Sequence, residues 1–361
     1  VGSDTGHMAI LGYDPFKHYR GRGPFEARGV GLEVKPGDVA FRCNFATVDE
    51  NGVIQSRRAG RIEAGTDQLR EIINEEISEI EDVQILFKES VAHRAALVLR
   101  GENLDEHITP TDPHVPGVEY WKSEPLEGYE DNEAARRTAK ILNAFVERTR
   151  EVLDDAPLNE ERRAEGKHPA NIVLPRGAGT AVDLEPFEKR YEIPGAMIVE
   201  VDLVRGLGEY LQMKVPRVTG ATGGPDTDEI AIADEVVDSF QKNDFILANI
   251  KAPDLGGHDG DVAQKIAAIE KVDRAIGHII DNTADMHLVT MVAADHCTPC
   301  AVRDHSGEPI PTIFYGYGVT PDGVQSYGER ACAQGMMGHF RGADVMNLLM
   351  NWAGAAEKFG A

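Results

Sequence analysis

Short apolar runs separated by charged stretches dominate the C-terminal half of the chain. From about residue 181 onward, the apolar runs have the length of buried strands, and the stretches between them repeat apolar residues at helical spacing. The predicted strands are residues 196–201, 212–215, 245–250 and 288–294, and the predicted helices are residues 228–241 and 261–280. This alternation predicts an α/β fold with a mostly parallel sheet and helices on both faces.

The pattern between residues 32 and 180 is looser. It predicts strands at residues 38–42 and 95–100, helices at 66–81 and 132–155, and a polar surface loop at 154–169. The second helix has an apolar face formed by Ile141, Leu142, Phe145, Val146 and Val152. Such a mixture is typical of an α+β domain.

The chain of 361 residues exceeds the length of one typical domain. We therefore predict a discontinuous core, residues 1–31 and 181–361, into which an α+β cap domain, residues 32–180, is inserted. The core would include a short helix that begins at Ser3 and ends at Gly12. Free backbone N–H groups at the start of a helix favour binding of a phosphate there, so Ser3 is a candidate phosphate-binding residue.

Candidate metal ligands follow one of the predicted core strands. Asp254 comes shortly after the apolar run at residues 245–250, at the end of a strand where open α/β sheets place their ligand sites. Gly256 and Gly257 are expected to turn the backbone tightly, which would bring His258 back toward Asp254.

A second group repeats this arrangement. Asp295 and His296 directly follow the run at residues 288–294, and His305 lies nine residues after His296. Any one of these residues is more often a helix cap or an ordinary surface side chain. All of them at two strand ends would require several coincidences, because gathered carboxylates and imidazoles lose solvation unless a metal binds them. This mixture of ligands suits Mn²⁺ or Zn²⁺ better than Ca²⁺ or Mg²⁺.

Charge and composition narrow the class of protein. The formal net charge of −24 argues against nucleic acid or an anionic membrane as a partner. No apolar stretch reaches membrane-spanning length and no leader pattern opens the chain, so we expect a cytoplasmic protein. Four cysteines do not form a disulfide framework in a chain this long, and Cys297 and Cys300 are interpreted as scaffolding for the metal loop.

Several linked motifs resemble those of the archaeal-type cofactor-independent phosphoglycerate mutases, members of the alkaline phosphatase superfamily. They are Gly2-Ser-Asp-Thr-Gly-His7, Gly37-Asp-Val-Ala-Phe-Arg-Cys-Asn-Phe-Ala-Thr-Val-Asp49, Arg57-Arg-Ala-Gly-Arg61, Thr111-Asp-Pro-His114, Asp254-Leu-Gly-Gly-His-Asp-Gly260 and Asp295-His-Cys-Thr-Pro-Cys300. The resemblance extends over essentially the whole chain and implies the alkaline-phosphatase-like core with its inserted cap.

The resemblance also implies roles for single residues. Ser3 matches the nucleophile that becomes phosphoserine. Two divalent ions are implied, with Mn²⁺ favoured and Mg²⁺, Co²⁺ or Zn²⁺ as alternatives. Asp254, His258 and His305 match the ligands of one ion, and Asp295, His296 and Ser3 match part of the shell of the other. The family also has a strand ending in Asp-Gly, whose aspartate ligates the second ion and which would lie upstream of Val1.

The implied reaction interconverts 3-phosphoglycerate and 2-phosphoglycerate in glycolysis and gluconeogenesis. The phosphoryl group would pass to Ser3 and return to the retained glycerate, which a closed cap shields from water. Arginine suits carboxylate and phosphate, although each single arginine is equally well explained as a solvated charge. The candidate substrate-binding residues are Arg42, Asn44, Arg57, Arg58, Arg61, His93, Arg94, Asp112, His114, Arg176 and Lys214.

Two alternatives to the mutase stay open. One is another phosphomutase, a phosphatase or a sulfatase on the same scaffold, which phosphate release would distinguish. The other is a catalytically inactive binding or assembly protein, which metal content and turnover would distinguish. The sequence leaves the oligomeric state open and is compatible with a homo-oligomer.

Overall fold

The computed structural model describes residues 1–356, and these form two compact units. The discontinuous unit consists of Val1–Tyr19 and a second part that begins at Leu184, and the contiguous unit is Arg20–Asp183. The first boundary lies before the predicted residue 31, because the following helix packs on the sheet of the contiguous unit. Ala27 and Val30 share a small apolar cluster with Ala40 and Val98.

The contiguous unit contains a six-stranded antiparallel sheet. Its strands are β1 (Val39–Val48), β2 (Ile54–Ser56), β3 (Glu79–Ile80), β4 (Val83–Glu89), β5 (Arg94–Arg100) and β6 (Ile172–Thr180). The order is β2-β1-β5-β4-β3, and β6 also pairs with the long strand β1. Its helices are α3 (Gly23–Gly29), α4 (Thr66–Glu76), α5 (Glu133–Asp154) and α6 (Pro157–Ala164).

Helix α5 covers the core of the contiguous unit, as its apolar pattern predicts. Ile141, Leu142, Phe145 and Val146 are buried, and each such side chain contributes about 1.5–3 kcal/mol of burial free energy. Val152 is partly buried against the same core. The Asn132 side chain accepts hydrogen bonds from the first turn of α5 and caps it.

Two local predictions in this unit were wrong. The predicted helix at residues 66–81 ends at Glu76, because Glu79–Ile80 pairs as strand β3. The predicted loop at residues 154–169 contains helix α6. Pro157 begins this helix, and the buried Asn159 amide donates to the carbonyl oxygens of Leu153 and Ala170, which fixes its position.

The discontinuous unit contains the remaining elements. They are the helices α1 (Ser3–Ile10), α2 (Pro15–His18), α7 (Phe187–Tyr191), α8 (Asp202–Tyr210), α9 (Glu229–Ser239), α10 (Ala252–Asp259), α11 (Val262–Asn282), α12 (Glu329–Cys332) and α13 (Val345–Trp352), a 3-10 turn (Gly342–Asp344), and the strands β7 (Gly195–Val199), β8 (Phe245–Asn249), β9 (Val289–Ala293) and β10 (Thr312–Gly316).

The mixed α/β class is confirmed, but the pairing differs from a single mostly parallel sheet. Strands β7 and β8 pair in parallel, whereas β9 pairs antiparallel with β10, a strand that the apolar runs did not predict. Residues 212–215 are not a strand, and only Lys214 forms an isolated parallel bridge, to Ala196. No helix within residues 1–356 is both long and apolar enough to span a bilayer.

Candidate active site

Helix α10 places Asp254 and His258 one turn apart on the same face. The expected turn at Gly256 and Gly257 was therefore wrong, since both glycines are helical and buried. They matter because they allow close packing. A Cβ atom added at Gly257 would lie 2.3 Å from the Thr298 carbonyl oxygen, and one at Gly256 would lie 2.8 Å from the Lys265 backbone.

Asp254, His258 and His305 converge on one point. The Nε2 atoms of the two histidines are 3.2 Å apart, and Asp254 carboxylate oxygens lie 3.5 Å from His258 Nε2 and 3.4 Å from His305 Nε2. A metal ion with bonds of about 2.0–2.2 Å to nitrogen and oxygen separates its ligand atoms by roughly 3–3.5 Å. The spacing of the three side chains thus fits one divalent ion.

The hydrogen bonds on the far sides of both rings support this fit. His258 Nδ1 lies 3.1 Å from the Arg303 carbonyl oxygen, and His305 Nδ1 lies 2.8 Å from the Val1 carbonyl oxygen. A carbonyl oxygen only accepts, so each Nδ1 donates to it, and in the neutral tautomer each Nε2 then presents a lone pair to the other ring. Two lone pairs facing each other repel, and a bound cation removes that repulsion.

A second group of side chains surrounds Ser3, the first residue of α1. Ser3 Oγ lies 3.1 Å from His296 Nε2, which in turn lies 3.3 Å from Asp295 Oδ2. The Lys251 ammonium group donates to Ser3 Oγ over 3.2 Å and lies 2.7 Å from Asp254 Oδ2. The structure therefore brings the hydroxyl near the start of the chain to the carboxylates and imidazoles near its end.

The two groups are joined through Thr298. Its hydroxyl donates to Asp254 Oδ1 over 2.6 Å and lies 3.1 Å from His296 Nδ1. The rings of His296 and His305 stack with centroids 3.7 Å apart. The candidate ligands consequently form one continuous cluster.

Burial and neighbouring charges set the protonation states in the cluster. Burial raises the pKa of Asp254, but the Lys251 ammonium, the Thr298 hydroxyl and His258 together outweigh it and lower that pKa to about 2. Burial also opposes ionisation of Asp295, and the neighbouring His7 and His296 nevertheless hold its pKa below the usual range. Burial lowers the pKa of His296 to about 4. At neutral pH the cluster thus offers ionised carboxylates and a neutral imidazole, the forms that bind metals.

Lys251 and His7 are site residues that the sequence patterns did not single out. His7 is buried one helical turn after Ser3, with Nδ1 2.6 Å from the Ser3 carbonyl oxygen and 3.5 Å from Asp295 Oδ2. The spacing of four residues between Ser3 and His7 was the available signal. Lys251 is the N-cap residue of α10 and precedes Asp254 by three residues, which places the two side chains beside each other.

Most of the candidate substrate-binding residues lie in the contiguous unit. The strand register places Arg42 opposite Arg176 and Asn44 opposite Arg94. Within residues 1–356, the Nε atoms of these three arginines and the Asn44 side-chain oxygen are buried without a hydrogen-bond partner. Buried polar groups normally have partners, so this region of the sheet is suited to bind an anionic ligand.

Other candidates surround this region or lie apart from it. Arg57 makes two hydrogen bonds, 2.8 and 2.6 Å, to the fully buried Asp112, which also accepts from the His114 backbone N–H. Burial, together with the neighbouring Arg94 and Arg58, lowers the pKa of His93 to about 3. Other positions are exposed, among them Arg58, Arg61 and, in the discontinuous unit, Lys214.

Comparisons with known proteins agree with this combination of fold and cluster. The family model for 2,3-bisphosphoglycerate-independent phosphoglycerate mutase matches residues 1–159. A protein of that name from Methanosphaera stadtmanae is 47% identical over 363 residues, which cover 100% of this chain and 87% of the relative. A mutase of the same name, numbered 1, from Methanothermobacter thermautotrophicus is 46% identical with the same coverage.

Two solved structures are also similar. A protein from Pyrococcus horikoshii has a TM-score of 0.81 and 34% identity, covering 100% of this chain and 85% of the other. A cofactor-independent phosphoglycerate mutase from Thermoplasma acidophilum has a TM-score of 0.64 and 36% identity, covering 98% and 87%.

Fold and site together define a mixed α/β protein with a serine hydroxyl beside a cluster of carboxylates and imidazoles. Within that class, sequence identity to the two archaeal relatives over the whole chain shows the family. The chain belongs to the 2,3-bisphosphoglycerate-independent phosphoglycerate mutases.

Proposed function

We propose that this protein is an isomerase (EC 5.4.2.12) that interconverts 3-phosphoglycerate and 2-phosphoglycerate through a phosphoserine at Ser3. The observation that carries the proposal is the position of Ser3 Oγ, within 3.2 Å of both His296 Nε2 and the Lys251 ammonium. Full-length similarity to phosphoglycerate mutases supports the choice of substrate. The reaction would serve glycolysis and gluconeogenesis in the cytoplasm.

The donor chemistry of the cluster supports two divalent ions, with Mn²⁺ favoured. Asp254, His258 and His305 would hold one ion, and Asp295, His296 and Ser3 would contribute to the other. When bound, the ions would lower the pKa of the serine hydroxyl and neutralise charge on the phosphoryl oxygens.

The residues of the chain supply the remaining chemistry. Ser3 Oγ attacks the phosphorus of 3-phosphoglycerate, the bond from phosphorus to the substrate O3 breaks, and the serine proton passes to the departing oxygen. Glycerate is retained, and its 2-hydroxyl then attacks the phosphoserine and returns a proton to Ser3. The N-terminus of α1 and the Lys251 ammonium stabilise the negative charge of the phosphoserine.

The proposed architecture is an alkaline-phosphatase-like core formed by the discontinuous unit, with the contiguous unit as the inserted cap. In the cap role, the contiguous unit contributes the basic groups that bind the substrate carboxylate and phosphate. The buried Nε atoms of Arg94 and Arg176 support this assignment, because they have no hydrogen-bond partner in the described part of the chain and require an acceptor.

The test follows 3-phosphoglycerate by ³¹P NMR in the presence of Mn²⁺. The expected result is a resonance of 2-phosphoglycerate at equilibrium with almost no inorganic phosphate, and neither product with the Ser3→Ala variant. A phosphatase would instead release inorganic phosphate steadily. An inactive protein would leave the spectrum unchanged, and either outcome would reject the proposal.

A further inference from the structure

The basic, glycine-rich segment before α3 packs tightly against the sheet of the contiguous unit. A Cβ atom added at Gly21 would lie 2.1 Å from the Ala178 carbonyl oxygen, and one at Gly23 would lie 2.0 Å from the Ala40 carbonyl oxygen. No larger residue fits at either position without moving the backbone. The start of α3 is thereby held against Ala40 of β1, so that the N-cap Arg22 and the helical residue Glu26 reach the sheet.

Glu26 is a buried carboxylate surrounded by arginines. It is 5% exposed, and its Oε1 accepts a hydrogen bond from Arg22 Nε over 3.0 Å and lies 3.6 Å from Arg42 Nε. Burial opposes ionisation of Glu26, yet Arg42, Arg22 and Arg94 keep its pKa below the usual range. Glu26 is therefore an anion that links two guanidinium groups on different elements.

The positive charge around Glu26 exceeds what this carboxylate neutralises. Arg42 and Arg176 are directly opposite each other on neighbouring strands, an arrangement that repels. The other nearby carboxylate, Asp112, makes two hydrogen bonds with Arg57, and its Oδ2 also lies 3.7 Å from Arg176 Nε, so it is shared between two guanidinium groups. A further anion is needed to complete the charge balance, and the substrate of the proposed function carries a carboxylate and a phosphate.

We propose that Glu26 is a positioning residue that holds Arg22 and Arg42 side by side as one binding element for an anionic group of the substrate. Both contacts to Glu26 use Nε atoms, so Glu26 does not use the terminal nitrogens that bind carboxylate and phosphate in forked pairs. Arg22 thereby joins the anion site, and Glu26 acts through it without touching the ligand. This inference deepens the proposed function and rests on it for the identity of the ligand.

The Glu26→Gln variant distinguishes a residue that positions the two arginines from one that only adds a negative charge near the anion site. Removing a negative charge next to an anion site should strengthen anion binding if Glu26 is only a neighbouring charge. If Glu26 positions the two arginines, their mutual repulsion moves them apart, and the dissociation constant for 3-phosphoglycerate rises by about tenfold. Isothermal titration calorimetry of the full chain, without added divalent metal ions, measures this constant without turnover. An unchanged or tighter constant would overturn the inference.

Asp38→Asn provides a matched control. Asp38 is a buried carboxylate in the same unit that pairs with Arg100, with 2.8 Å between Asp38 Oδ2 and Arg100 Nη2. This variant should lose stability while binding 3-phosphoglycerate as well as the unaltered protein. If it weakened binding as much as Glu26→Gln, the role of Glu26 would be structural only.

Two further measurements cover the remaining outcomes. If Glu26→Gln does not fold, Arg22→Lys tests the same binding element at a more exposed position. This variant should weaken binding of 3-phosphoglycerate by several-fold, and an unchanged dissociation constant would overturn the inference.

Inorganic phosphate serves as a second probe. Phosphate binding that depends on Glu26, without 3-phosphoglycerate binding, would support the inference while rejecting the proposed substrate. An unaltered protein that binds neither anion would overturn the inference.

Discussion

Ser3 lies within hydrogen-bonding distance of an imidazole and of a primary amine. The types of these two neighbouring side chains determine what the serine hydroxyl can do chemically. The Lys251 ammonium is a positive charge on the N-cap residue of α10, and Asp254 in the first turn of that helix balances it. A phosphate group on Ser3 would meet that charge directly.

Replacing Lys251 by Met is expected to lower kcat for phosphoglycerate interconversion by about a hundredfold, the usual effect of losing one donor to a developing oxyanion. Steady-state kinetics with Mn²⁺ measure the change. Lys271→Met is the control, because Lys271 donates to the Thr227 carbonyl oxygen over 2.7 Å and lies beside Glu229, remote from Ser3 in sequence and contacts. Equal activity of the two variants would exclude a direct role for Lys251.

His93 makes the stability of the protein depend on pH. Its folded pKa of about 3 lies below the usual histidine value of 6.5, because burial, Arg94, Arg58, Arg42 and Arg176 all oppose the imidazolium. Below pH 6.5 the unfolded chain therefore binds a proton that the folded chain does not. The stability due to neutral His93 is complete above pH 6.5 and is lost as the pH falls toward 3.

His93→Gln should consequently reduce the slope of the unfolding free energy between pH 6 and 4, by an amount that integrates to a few kcal/mol. Urea denaturation at a series of pH values measures this slope. The exposed His168, replaced in the same way, should leave the slope unchanged. A His93→Gln protein with the original slope would contradict the assignment of a neutral buried imidazole.

At the scale of elements, α10 is the helix that positions two candidate ligands together. The pair depends on close packing of α10 against the residues after His296, and Gly257 is the contact point with Thr298. Thr298 also donates to Asp254, so packing and ligand position are coupled.

Gly257→Ala is therefore expected to destabilise the protein by about 1–3 kcal/mol and to weaken Mn²⁺ binding, because the added methyl group overlaps a backbone oxygen. Gly277→Ala on α11 is a matched control. A Cβ atom at Gly277 meets no atom within 4 Å, so the usual gain in helix propensity, up to about 1 kcal/mol, should appear. Urea denaturation and calorimetric Mn²⁺ titration of both variants give the answer, and similar effects of the two changes would contradict the packing argument.

The same helix shows how far sequence reasoning reached. The ligand types and their grouping could be predicted, because carboxylates and imidazoles placed after apolar runs indicate a metal site. The local structure could not be predicted, because two adjacent glycines favour a turn by themselves. In the folded protein, close packing at Gly256 and Gly257 stabilises a helix instead. Strand β10 and helix α6 were missed for a related reason. Their sequences carry weak local signals, and long-range partners such as β9 and Ala170 stabilise them.

At the scale of the whole molecule, the two units differ in how they can fold. The contiguous unit, Arg20–Asp183, has its own large apolar core and a sheet whose strands all belong to it. The discontinuous unit needs residues from both ends of the chain. Sequence patterns predicted an insertion at residues 32–180. They did not show that α3 packs on β1, and this packing makes α3 part of the contiguous unit.

A polypeptide of residues 20–183 should accordingly fold alone. The expected result is a single cooperative urea transition monitored by circular dichroism, because the buried surface of a domain of this size is sufficient for stability. Absence of a cooperative transition would show that the contiguous unit depends on the rest of the chain.

The assignment of Ser3 as the phosphoryl acceptor is tested most directly by acid quenching during turnover. The protein is mixed with 3-phosphoglycerate and Mn²⁺, quenched within milliseconds, digested and analysed by mass spectrometry. The predicted result is one added phosphoryl group on the peptide that contains Ser3, formed and lost at rates compatible with turnover, and absent from Ser3→Ala. Full interconversion activity in the Ser3→Ala protein, or phosphorylation at a different residue, would contradict it.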